Sequence, residues 1–245
     1  MDGIGQEFLE KTRYRQLSPS EQERGLPQPP LQVALGSGRR IELPDPRTLD
    51  VTLDLRTAIE NRRSLREYSD APLSLEELAI LLHGVQGVKR TVPERATFRT
   101  VPSAGARHAF ETVVWANRVD GLEPGMYQYL AIEHQLMSLD CPAEAIDRLV
   151  EACLGQRFIA ESAATFAWIA DRRRMAWRYG ERGVRYLFLD AGHVCQNMYL
   201  IAEALGAGAC AIGAFDDERL NELVGLDGID RFVVYLASVG KREPS

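Results

Sequence analysis

Residues 185–205 read RYLFLDAGHVCQNMYLIAEAL and run straight into GAGACAIGAFDDERL, residues 206–220. The pattern predicts one long helix, a glycine stop, a strand and a further helix. Phe188, Ala191, Cys195, Met198, Ala202 and Leu205 recur at steps of three and four, which sets them on one helix face. Leu187, Val194 and Ile201 widen that stripe, so the helix is expected to be buried against a sheet, a partner helix or a second subunit. Tyr186, Asp190, His193 and Asn197 form a narrower polar line on a different face. At 1.5 Å per residue the helix spans roughly 30 Å, the width of a small domain. Arg185, Asp190, His193, Gln196, Asn197 and Glu203 are too many polar groups for a lipid span, so no membrane segment is expected here.

The 245 residues allow one large domain or two small ones. With 45% hydrophobic and 26% charged residues the chain can bury a sizeable core beneath an ordinary soluble surface. A net charge of −6 argues against nucleic acid as a partner, although residues 62–66 and 172–178 are locally basic. The cysteines at 141, 153, 195 and 210 show no C-x-x-C pair, which favours free thiols in a reducing compartment. No apolar signal segment opens the N-terminus, so a cytoplasmic location is the default.

Residues 1–17 allow a short helix. From Ser18 to Pro46 the prolines and glycines forbid long regular structure, so residues 1–46 are read as an arm, extended or partly disordered, ahead of a domain over 47–245. Asp54–Arg62 is helical and Ser64–Tyr68 extended. Ser74 and Glu77 make a capping box for a helix over Leu75–Gln86. Val88–Thr100 is polar and loop-like. Phe110–Val119, Met126–Ile132 and Gln135–Leu139 form an antiparallel meander. Pro142 opens a helix to Leu154, and Ala164–Ala170 is a strand ahead of the helix Arg172–Gly180. Ala209–Phe215 and Arg231–Val239 are strands flanking the helix Asp217–Val224. Hairpin-connected middle strands point to an α+β fold, a mixed, mostly antiparallel sheet covered by helices.

Three stretches carry candidate chemistry. Arg62-Arg63-Ser64-Leu65-Arg66 offers three guanidiniums and a hydroxyl that suit a phosphate, or simply a solvated basic helix end. In residues 99–108, RTVPSAGARH, small residues permit close backbone approach to a flat ligand while Thr100, Ser103, Arg107 and His108 offer polar edges; the alternative is a surface loop. Arg178-Tyr179 closes a basic helix whose Arg172–Arg174 read as a solvated face, with Tyr179 either core or proton donor. No Rossmann or Walker fingerprint, nucleophile elbow or metal-ligand spacing is present, and His193 reads as a hydrogen-bonded interior residue.

Taken together, IELPDP (41–46), ENRRSLREY (60–68), LSLEELAILLHGVQGV (73–88), RTVPSAGARHAFETVVWANRV (99–119), GMYQYLAIEHQLMSL (125–139), residues 177–217 and YLASVGKRE (235–243) resemble the nitroreductase superfamily of flavin enzymes. Within it they look like the SagB-type, azoline-oxidising dehydrogenases. The resemblance implies a nitroreductase-like fold binding FMN at the interface of a homodimer, with the long helix at its centre. It implies that Arg62 and Ser64 hold the FMN phosphate, assisted by Arg63, and that Arg66 lies near the pyrimidine edge. Pro102, Ser103, Gly105 and Arg107 match a second flavin-contacting loop. Ile212, Gly213 and Ala214 match the segment facing N5, and Lys241 and Arg242 are the nearest C-terminal cations for the phosphate. Peptide-acting members carry a Lys-Tyr pair where this chain has Arg178-Tyr179, and arginine cannot act as a base. The implied activity is oxidation of an azoline in a modified peptide, alongside biosynthetic partner proteins. The alternatives are NAD(P)H-dependent reduction of a nitro, quinone or enone small molecule, or a flavin-binding scaffold without turnover.

Overall fold

In the computed structural model, which describes residues 3–243, helix α1 (Ile4–Lys11) precedes an arm ending in strand β1 (Arg40–Glu42). Helices α2 (Leu55–Asn61) and α3 (Leu75–Gln86) lead to the hairpin β2 (Val88–Val92) and β3 (Ala96–Arg99). The meander β4 (Phe110–Ala116), β5 (Gly125–Leu130) and β6 (Gln135–Ser138) follows, then α4 (Ala145–Ala152) and the single turn α5 (Phe158–Glu161). Strand β7 (Ala164–Asp171), helices α6 (Arg172–Tyr179) and α7 (Gly183–Ala204), strand β8 (Ala207–Ile212), helix α8 (Asp217–Val224) and strand β9 (Arg231–Lys241) complete the chain.

Seven strands form one sheet in the order β1-β6-β5-β4-β7-β9-β8. Every ladder in it is antiparallel, and parallel pairing is confined to isolated bridges such as Ser64 with Ala209. Each residue of β4 and β7 is buried, because helices cover both faces. The two-residue period of a strand divides β7 accordingly. Ala164, Phe166, Trp168 and Ala170 pack with Leu78 and Leu82 of α3 and Leu187, Val194 and Met198 of α7. Ala167 and Ile169 pack on the other side with Leu149 of α4 and Leu220 of α8. Ser74 and Glu77 form the expected capping box on α3.

Five local readings change. Residues 88–99 form a hairpin, not a loop; it is a two-stranded ribbon apart from the main sheet, and β3 buries the polar Thr97 and Arg99 while exposing Phe98 between them, so no apolar alternation marks it. Pro142 opens a turn, its carbonyl accepting from Ala145 N–H at 3.0 Å, and α4 begins only at Ala145. On α7, Ala191, Cys195, Met198 and Ala202 are buried as expected, but Phe188 is 57% exposed and Leu189 60%. His193 also faces out rather than inward. Finally, Arg174 is not part of a solvated face: it is 1% exposed and ion-paired with buried Glu111 at 2.5 Å.

The arm is stitched to the body by its backbone. Val33 N–H donates to Glu111 Oε1 at 2.9 Å and Leu35 N–H to Gln128 Oε1 at 2.7 Å. Further back, Gln22 N–H donates to Trp177 O at 2.8 Å, and the Trp177 indole N–H returns a bond to Leu26 O. Among the described residues no helix is long and apolar enough to cross a membrane, and all four cysteines are unpaired.

Candidate active site

The basic segment after α2 lies along β8. Leu65 N–H donates to Ala209 O at 2.9 Å, which fixes the height of Ser64 beside the strand. Tyr199 of α7 joins the two: its hydroxyl lies 2.9 Å from Ser64 Oγ and accepts from Ala211 N–H at 2.8 Å. The Arg62 guanidinium lies over the Tyr199 ring at 5.2 Å, and that of Arg66 lies 6.0 Å from the Phe158 ring. Arg62, Arg63 and Arg66 form no ion pair among the described residues. Ile212 is buried at the end of β8, while Gly213 and Ala214 emerge from it exposed. The edge strand β8 therefore carries the segment of Arg62, Ser64 and Arg66 along its side, with Ser64 level with Ala209, and residues 212–214 at its C-terminal end.

Lys241 and Arg242 lie at the start of β8, the end away from residues 212–214, since β9 pairs Lys241 with Ala207 and Leu236 with Ile212. Both already have carboxylate partners, Glu77 for Lys241 and Glu203 for Arg242, and they also donate to the carbonyls of Leu205 and Ala207. They close the C-terminal end of α7, where cations offset the helix dipole.

The second candidate loop sits on the opposite half of α7. Ala104 N–H is within 3.3 Å of both Asp190 oxygens. Burial raises the Asp190 pKa, and its hydrogen bonds to the loop partly oppose that rise. Gly105 adopts φ +56, a left-handed conformation that favours glycine. A β-carbon there would stand 2.5 Å from Tyr179 Oη and 2.9 Å from Arg178 Cδ, so the loop rests directly on the Arg178-Tyr179 pair. Gly180, at φ +54, then turns the chain sharply from α6 into α7. The Tyr179 ring meets Tyr186 edge-on, with centroids 4.7 Å apart.

Pro102 is exposed and Ser103 half-buried, its Oγ accepting from His108 N–H at 2.9 Å. Arg107 stands apart from these residues. It is buried beneath the loop, donating to Gly105 O and Arg95 O and lying over Trp177. His108 is buried too, and desolvation, then Arg99, Arg107 and Arg174, hold its pKa down to about 3. Neither offers the polar edge that the sequence suggests.

Asp190 and Tyr199 are nine residues apart, so the two groups contact α7 about 13 Å from one another along its axis. Tyr199 escapes sequence reasoning because it looks like one more apolar-face residue of the helix. A cavity of about 570 Å³ between Asp45, His83 and His134 shares no residue with either group.

The Nitroreductase family model matches residues 59–241. The chain belongs to this family. It is 36% identical over 208 residues to a protein of Methanocaldococcus jannaschii with a provisional nitroreductase name, covering 85% of this chain and 99% of that one. It is 33% identical over 142 residues to the trifolitoxin-processing protein TfxB of Rhizobium leguminosarum bv. trifolii, covering 55% of this chain and 38% of TfxB. A crystal structure from Anabaena variabilis, provisionally named a nitroreductase, superposes with a TM-score of 0.69 at 28% identity, covering 84% of this chain and 42% of that chain. The fold is also shared, at lower identity, with the E. coli microcin synthetase McbBCD complex (TM-score 0.62, 16% identical, 80% of this chain and 76% of that one). A nitroreductase-named protein of Desulfovibrio desulfuricans, solved with FMN, has it too (TM-score 0.54, 20% identical, 79% of this chain and 93% of that one).

Proposed function

We propose that this chain is an FMN-dependent oxidoreductase that works as a homodimer and oxidises a thiazoline or oxazoline ring in a modified peptide to the aromatic azole. The observation that carries the flavin reading is the set of donors Arg62, Ser64 and Arg66: the two arginines make no ion pair among the described residues, and Ser64 is tied through Tyr199 to Ala211 of β8. A phosphate needs several charge-assisted donors in a fixed frame. Arg62 and Ser64 supply them, with Arg63 beside them, while Lys241 and Arg242 brace the frame through their own carboxylates. Family membership and the FMN-bound relative support the same cofactor.

FMN, when bound, supplies a two-electron acceptor at N5 that takes a hydride. The rest is the chain's work. Arg66 would offer a fixed positive charge to offset the negative charge that electron gain places on the flavin. Gly213 and Ala214 would offer it exposed backbone without side-chain bulk. Tyr179, held beneath Gly105, would relay to water the proton that leaves the substrate with the hydride, its oxygen accepting that proton as it gives up its own, while the Arg178 guanidinium serves as a fixed cation.

The 13 Å offset along α7 suits a site completed by a second copy, whose Pro102, Ser103 and Gly105 wall the flavin placed by the first chain's arginines. The exposed Phe188 and Leu189 of α7, with Leu55 and Ile59 of α2, supply apolar surface for that contact. The free thiols fit the cytoplasm. Likeness to TfxB and to the microcin synthetase supports azoline oxidation alongside other biosynthetic proteins.

A second reading, reduction of a nitro, quinone or enone compound at the expense of NAD(P)H, is favoured by Arg178 in the place of lysine and by the archaeal relative. Anaerobic mixing separates the two. Flavin bleaching by an azoline peptide but not by NADPH supports the dehydrogenase, and rapid bleaching by NADPH alone supports the reductase.

A further inference from the structure

A cavity of about 450 Å³ opens beside Tyr179, and the N-terminal arm builds one of its walls. Tyr14, Leu17 and Pro19 face Arg178, Tyr179 and Arg182 across it. The wall is anchored on both sides. Arg182 donates to Thr12 O at 2.8 Å and lies over the Tyr14 ring, and Arg185 donates to Thr12 Oγ1 at 2.6 Å. Beyond the cavity, the bond from Gln22 N–H to Trp177 O holds the arm one residue before Arg178.

The charge of this cavity is unbalanced. Arg178 is exposed and makes no ion pair among the described residues. Arg182 spends its donors on Tyr186 Oη and Thr12 O, neither of them a carboxylate. Glu23 is the one acid on the lining, and Ser20 draws its Oε2 back into the arm's own turn through bonds of 2.7 and 2.9 Å. Two guanidiniums thus share with Tyr179 the lining of a space of ligand size, with apolar arm residues opposite.

We propose that this cavity is a carboxylate-recognising substrate subsite, so that the substrate carries an acidic group next to its reacting part. Arg178 and Arg182 grip that group, and the arm supplies the apolar wall that sets what fits. A guanidinium matches a carboxylate in bidentate fashion, which a lysine at position 178 would not reproduce. The subsite rests on the reading of Tyr179 as a substrate-facing residue.

The test is calorimetric titration of the purified full-length protein with 4-nitrobenzoate and with the isosteric, neutral 4-nitrobenzamide, FMN content being measured separately by absorbance. The benzoate should bind about tenfold more tightly, and Arg178→Gln should remove most of that preference. Leu17→Trp, which fills the cavity from the arm side, should weaken both probes. Equal affinity of the two probes for the wild type would overturn the proposal. So would a preference that survives in Arg178→Gln combined with Arg182→Gln, or a Leu17→Trp variant that binds both probes normally. A protein that takes up no FMN yet discriminates the probes would leave the subsite standing and sink the flavin reading alone.

Discussion

Replacing Gly105 by alanine perturbs the candidate site through one methyl group. The φ of +56 makes any L-residue at this position unfavourable by about 1–2 kcal/mol. For a domain of this size that corresponds to a fall in melting temperature of about 2–8 °C. The larger effect is steric. To restore ordinary contact, Tyr179 Oη must retreat by about 0.9 Å, and Arg178 must yield as well, from 2.9 Å. A displacement near 1 Å at a group that moves a proton costs about 100-fold in turnover. Thermal melting and steady-state kcat, measured on the same FMN-loaded sample, separate the two effects. Gly105→Asn, whose side chain tolerates the left-handed region, should recover part of the melting loss but little of the turnover. In a Tyr179→Phe background, where the clashing oxygen is gone, Gly105→Ala should cost little further turnover. A Gly105→Ala enzyme that melts as expected yet keeps wild-type kcat would refute the placement of Tyr179 in the chemistry.

Three other outcomes follow from the geometry. Because the pKa of His108 is lowered from 6.5 to about 3, the native state binds fewer protons than the unfolded state between those values, and stability falls as pH drops through that window. At pH 5 the loss is about 2 kcal/mol relative to pH 8, and urea unfolding at both values should show it abolished in His108→Asn, a residue that tolerates the φ of +43. Tyr199→Phe removes the partner of Ser64 Oγ and of Ala211 N–H, so it should cost about 1–3 kcal/mol of stability and weaken FMN binding about tenfold; fluorescence titration with unchanged affinity would contradict this. If the proposed homodimer packs on α7, Phe188→Glu should split it in light scattering and lower FMN occupancy with it, whereas an intact dimer would move the interface off α7.

Local signals made much of the fold legible. The capping box at Ser74 and Glu77 marks the start of α3, and α8 spans Asp217–Val224 as its composition indicates, because both helices carry their own punctuation. The long helix was legible as an element but not in its exposure: Phe188 shares the spacing of Ala191 and Cys195, and only the third dimension shows that, among the described residues, it is left 57% exposed. Polar β2 and β3 escape because the residues that β3 buries, Thr97 and Arg99, are polar while Phe98 between them is exposed. The basic run at 172–178 hides a buried arginine, since nothing local tells Arg174 from its neighbours; its partner Glu111 lies 63 residues earlier. The candidate site divides in the same way. Arg62, Ser64 and residues 212–214 are readable as motifs, whereas Tyr199, which joins them, and the arm wall beside Tyr179 depend on contacts across 135 residues or more.

The most direct measurement is FMN stoichiometry and affinity for the wild type and for Arg62→Ala and Ser64→Ala. The wild type should be yellow, with one FMN per chain, and each substitution should weaken binding by about tenfold or more while leaving the fold intact by circular dichroism. A folded wild-type protein that takes up no FMN, or variants that bind it as tightly as the wild type, would contradict the assignment of this segment as the flavin phosphate site.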